Sequence, residues 1–163
     1  MCSDEVLWTR GEGRCCAEEW LAKSGISLPR YNYLMTKVVL TWQDEPGRGG
    51  EIDSPRADQI RQQLLSLDGA WRSTLVIDRG RQQFVVGGSA ESGVIAYVDN
   101  GRGKLWQLMS STTDSESLVE VVAGELGEYP AKYVATINDV LTAAEEFVES
   151  GSLSSGLSWE EYA

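Results

Sequence analysis

Three carboxylates, Asp78, Glu91 and Asp99, are the side chains of this sequence with the plainest capacity for acid/base chemistry. Paired across a cleft, two such groups carry glycoside hydrolysis, one protonating the leaving oxygen and the other serving as base or nucleophile. Their spacing does not enforce a pair, and acids at the ends of short apolar runs ordinarily serve solubility. The chain contains no histidine, which excludes Ser-His-Asp and Cys-His nucleophile activation, histidine-bearing zinc sites and imidazole proton transfer. Its three cysteines, Cys2, Cys15 and Cys16, lie within the first 16 residues and have no further Cys or His with which to complete a metal site. "GRGG" at Gly47 to Gly50 and "VVGGSAESG" at Val85 to Gly93 lack phosphate-loop spacing and do not lead into a helix, so both read as turns or bulges that need positive φ. Neither a cofactor nor a metal is expected.

The elements that must position these residues follow from periodicity. "KVVLTW", "STLVID", "QFVV", "VIAYV", "KLWQLM" and "LVEVVA" read as strands. "QDEPGRGGEID", "GGSAESG" and "SSTTDSES" read as loops. Connections this short fit antiparallel neighbours, because parallel crossovers need about a dozen residues or more. Ser54 followed by Pro55 resembles an N-cap with proline at the first helical position, and Ala57, Ile60, Leu64 and Leu67 form one stripe of a helix ending near Gly69. A second helix begins at Thr136, with Asp139 three residues on as in a capping box, and carries Ile137, Val140, Leu141, Ala144, Phe147 and Val148 on one side. Thr142, Glu145, Glu146 and Glu149 occupy the other side, and Gly151 ends the helix. The fold class is α+β, a meandering antiparallel sheet with two amphipathic helices packed on it. Trp42, Trp71 and Trp106 fall at strand positions and are expected to fill the core.

Residues 1–34 hold all the cysteines and only one short helix-compatible piece, Ala17 to Lys23. They read as an appended segment or the product of an upstream start codon, with a single domain over 35–163. With 163 residues and 42% apolar composition, one core is the default expectation. No apolar run approaches the roughly 20 residues of a membrane span, and "MCSDEVLWTR" lacks the pattern of a signal peptide, so the cytoplasm is the expected compartment.

Net charge is −11, and from Asp114 onward eleven acids face a single base, Lys132, so that the last 50 residues carry −10. Such a chain repels phosphate backbones, which disfavours direct nucleic-acid binding, and either solvates one face or attracts a basic partner.

"FVVGGSAESGVIAYVDNGRGKLWQLMSS", followed by "GELGEYPAKYVATINDVLTAAEEFVESGSLSSGLSWEEY", resembles immunity protein family 1 of bacterial polymorphic toxin systems. The family's late helix and its ending are matched here by Ala144, Phe147, Gly151, Leu157 and Trp159, and Glu128-Tyr129-Pro130 fits the passage into that helix. Ser154 and Ser155 stand where relatives often carry a proline before the final tryptophan. The resemblance spans 35–162 and implies a non-catalytic inhibitor of a toxin encoded beside it, frequently a nucleic-acid deaminase or nuclease. A toxin of that kind presents a basic cleft, and exposed loop and edge acids would complement it. By charge and position these are Glu91, Asp99, Asp114, Glu116, Glu125 and Glu128. An acidic scaffold module for another partner is the alternative. Trp159, the fifth residue from the end of the sequence, is expected to return with Leu157 to the core and pin the tail, leaving the acids beside it in solvent.

Overall fold

Alternation along the third strand shows how the sheet is built. Ser73, Leu75 and Ile77 are buried, while Thr74, Val76 and Asp78 between them are only half-buried. That period of two gives the strand one face fully in a core and one only partly covered. The computed structural model describes residues 36–44 and 47–162, within the compact unit Thr36–Ala163. The expectations for residues 1–34, including those for the cysteines, lie outside the described residues.

The elements are β1 (Val38–Asp44), β2 (Arg48–Asp53), α1 (Ala57–Leu65), β3 (Arg72–Arg79), β4 (Gln82–Ser89), β5 (Gly93–Asp99), β6 (Leu105–Leu108), β7 (Leu118–Ala123), β8 (Glu125–Pro130), α2 (Ile137–Ser150) and β9 (Trp159–Tyr162). A one-turn 3-10 helix, Ala131–Tyr133, precedes α2. Seven strands form one antiparallel sheet in the order β2-β1-β3-β4-β5-β6-β9, and β7 and β8 form a separate hairpin. The architecture is α+β, with the expected meander at its centre.

Register aligns the core. Ile52, Leu40, Ile77, Phe84, Val98 and Trp106 are successive cross-strand partners over six strands. This apolar row faces the helices, and Phe147 of α2 stacks on Phe84 with ring centroids 5.6 Å apart. Helix α2 follows its expected design: Thr136 Oγ1 accepts the Asp139 N–H at 3.2 Å, and Gly151 closes the helix at φ 76°. Val140, Leu141, Ala143, Ala144 and Phe147 are buried on one stripe, with Thr142, Glu145, Glu146 and Glu149 exposed on the other.

Helix α1 differs at both ends. Its N-cap is Arg56, whose N–H donates to Gln59 Oε1 at 3.0 Å, while Ser54 stands before it at φ 51°. The helix stops at Leu65, leaving Leu67 buried just beyond it and Ala57 exposed at its start.

Two segments expected as loops are wholly or partly strand, and a third strand forms where none was expected. Arg48–Asp53 pairs with β1, because Gly50 leaves room for the Trp42 indole directly opposite and Ile52 faces Leu40 across the pair. Strand β4 continues through Gly87 and Gly88 to Ser89, which confines the turn to Ala90–Ser92. Glu125–Pro130, read only as a passage into the last helix, is strand β8. Gly87 is bare for a packing reason, since a Cβ there would strike Ala123, and Gly88 for a conformational one as well, since it sits at φ 125° and a Cβ on it would crowd Val121. The hairpin β7–β8 therefore sits against the sheet through Val121 and Ala123.

Of the three strand-assigned tryptophans, Trp42 and Trp106 pack against the core but Trp71 is 65% exposed. Asp68 explains the departure: its carboxylate accepts the N–H groups of Ala70 at 2.8 Å and Arg72 at 2.9 Å. That local turn ends before β3 and leaves Trp71 outside the ladder. The tail returns as expected, and as a strand. Trp159 pairs with Leu108 in β6, and both it and Leu157 pack against the core. The neighbouring acids stay at the solvent face as expected, and there each finds a base: Glu160 meets Lys132 at 3.4 Å and Glu161 meets Lys104 at 2.6 Å.

Candidate partner-binding surface

The six acids expected at a partner surface do not form one patch. Glu91 lies in the β4–β5 turn and Asp99 ends β5, so a seven-residue strand of roughly 20 Å separates them. That separation also removes Glu91 and Asp99 as an acid/base pair, which needs carboxyl groups no more than about 9.5 Å apart. Asp99 accepts the Gly101 N–H at 2.7 Å and Asp78 accepts from Gln83 Nε2 at 2.7 Å, so both carboxylates have local structural partners.

Asp114 and Glu116 lie in the loop before β7. Glu116 is bound to Lys132 at 2.9 Å. The Lys132 ammonium is held protonated well above its ordinary range, first by Glu116 and then by hydrogen bonding to Tyr133 and Glu160. One base thus neutralises charge on both the loop and β9.

Glu125 and Glu128 both lie on β8 but on opposite faces of the strand, and beside Glu128 comes an acid absent from the expected set. Glu120 on β7 is the direct cross-strand partner of Glu128. Its signal was the alternation in "LVEVVA", where a central glutamate must share a face with Leu118 and Val122. Strand parity makes that face the outer one, because Val121 and Ala123 are turned toward Gly88 and Gly87. Leu118 is 61% exposed and Leu126 65% exposed on either side of the Glu120–Glu128 pair. Among the described residues, neither of these glutamates nor Glu125, Glu91 or Asp114 has an ion-pair partner.

The hairpin is anchored at its turn as well as through its inner face. The Gly124 N–H donates to Ser73 Oγ at 3.1 Å, which ties the turn to the start of β3, two residues after exposed Trp71. Among the described residues no group of three or more His, Cys, Asp or Glu side chains is placed to hold a metal ion. No helix among them is long and apolar enough to cross a membrane.

Exposed leucines beside unpaired acids, carried on an anchored hairpin, have the chemistry of a protein-recognition surface. The family model described as Immunity protein Imm1 matches residues 48–161, and the chain belongs to that immunity protein family. No curated protein matches the chain. The matched span includes the hairpin, both helices and the sheet apart from β1, and it ends within β9.

Proposed function

We propose that this chain is the immunity partner of a bacterial toxin domain that acts on nucleic acid, a deaminase or nuclease. It protects the producing cell by binding the toxin in the cytoplasm and covering its active-site cleft. The observation that carries this reading is membership of the Imm1 family together with the concentration of net negative charge in the last third of the chain. A cleft that holds a polyanion is rich in Lys and Arg, and an acidic inhibitor accelerates encounter with it and complements it once bound. The chain does no chemistry on the substrate and competes with nucleic acid for the toxin.

The test is co-expression with the C-terminal domain of the toxin encoded by the adjacent gene. Protection of the host cell and co-purification of the two chains are expected. Charge reversal of Asp114, Glu125 and Glu128 together should abolish protection. Glu116 is left out because its reversal would break the internal pair with Lys132.

A further inference from the structure

The outer face of hairpin β7–β8 carries more exposed apolar surface than its fold requires. Large apolar side chains scattered singly over a surface need no explanation. Here Leu118 and Leu126 share one face, and Trp71 lies two residues before Ser73, which holds the hairpin turn, each of the three more than 60% exposed. Between the two leucines stands the Glu120–Glu128 pair. Like charges directly opposite on adjacent strands repel and destabilise the sheet that carries them. No base among the described residues relieves this pair. Both features are unfavourable in the free protein and favourable against a partner that buries the apolar groups and supplies cations between them.

We infer that the outer face of β7–β8, extended by Trp71, is the surface on which the partner docks, and that the partner presents Lys or Arg side chains flanked by apolar groups. The inference rests on the immunity reading and assigns a place to it. Leu118, Leu126 and Trp71 anchor the complex, since tryptophan in particular is enriched among residues that dominate binding energy. Glu120 and Glu128 steer encounter. The inner face, where Val121 and Ala123 meet Gly88 and Gly87, holds the platform in place, so outer-face substitutions leave that packing intact.

The division of labour is measurable by surface plasmon resonance on the toxin domain encoded by the adjacent gene, at two salt concentrations. The Glu120→Gln/Glu128→Gln variant should lower the association rate about tenfold and flatten its salt dependence. It should also raise the melting temperature of the free protein, a change opposite in sign to the loss of a structural contact. The Leu118→Ser/Leu126→Ser variant should raise the dissociation rate by about tenfold or more with little change in association. Glu145→Gln/Glu149→Gln on the exposed side of α2 removes the same charge elsewhere, and binding should stay within about twofold of the parent protein. If the parent binds and the hairpin variants bind as it does, or if the α2 variant weakens binding equally, the docking face is wrong while immunity stands. If the parent does not bind the toxin domain, both readings fall.

Discussion

Replacing Trp159 with alanine should loosen the last strand and, through it, the edge of the sheet. Trp159 is half-buried against the core, pairs with Leu108, and its indole Nε1–H donates to the Ser154 carbonyl at 3.2 Å. Leu108 beneath it is fully buried, so β9 supplies a ladder partner to a core strand. Truncating a fully buried tryptophan costs about 3–5 kcal/mol, and a half-buried one in this setting about 2–3 kcal/mol. For a domain of this size that loss lowers the melting temperature by about 5–10 °C. Urea denaturation followed by far-ultraviolet circular dichroism gives the free energy without relying on the fluorophore that has been removed. Hydrogen exchange should show faster exchange at the ordered ends of the tail, at Met109, whose N–H donates to the Ser158 carbonyl at 3.0 Å, and along β6. A loss below about 0.5 kcal/mol, the level of an ordinary surface change, with β6 protection unaltered, would refute the pinning of the tail by Trp159.

Other consequences are as specific. Gly87→Ala places a methyl group against Ala123, so hydrogen exchange in 118–130 should accelerate and toxin binding weaken while β1 and β3 keep their protection. Thr136→Ala removes the oxygen that accepts the Asp139 N–H and should cost about 1 kcal/mol in urea denaturation. Asp44 is held below its ordinary pKa of 3.8, chiefly by its hydrogen bond to Arg72, whose guanidinium meets it at 2.6 Å and lies over the Trp42 ring. Because the folded value is the lower one, the stability lost in Asp44→Asn should be largest above pH 3.8 and should shrink as pH falls through the depressed folded pKa. Parallel thermal melts of the two proteins from pH 6 to pH 2 check this.

Much of the centre of the fold was legible because local and long-range preferences agree there. The stripe of α2, its threonine cap and Gly151 each point to the same helix, and the apolar runs of β3 and β5 match the strands that form. Strand β2 was hidden because Gly49 and Gly50 read as a turn, while the ladder with β1 and the space taken by Trp42 decide the outcome. Strand β8 was hidden similarly, since Gly127 and Pro130 disfavour a strand locally and pairing with β7 supplies what propensity does not. The acids were chosen as loop residues, which found Glu125 and Glu128 on the hairpin but passed over Glu120 inside an apolar run. Their pairing depends on register, a property of two strands that neither strand's sequence displays alone. Glu116 illustrates the converse: a loop acid chosen for a partner is bound instead to Lys132.

On the proposed reading this acidic member of the Imm1 family neutralises a toxin by direct binding. Purified toxin domain from the adjacent gene, titrated with this protein while cleavage or deamination of nucleic acid is followed, tests it most directly. Stoichiometric loss of activity, competition between the inhibitor and nucleic acid, and a one-to-one complex are expected. Full toxin activity in the presence of excess inhibitor, with no complex on gel filtration, would contradict it.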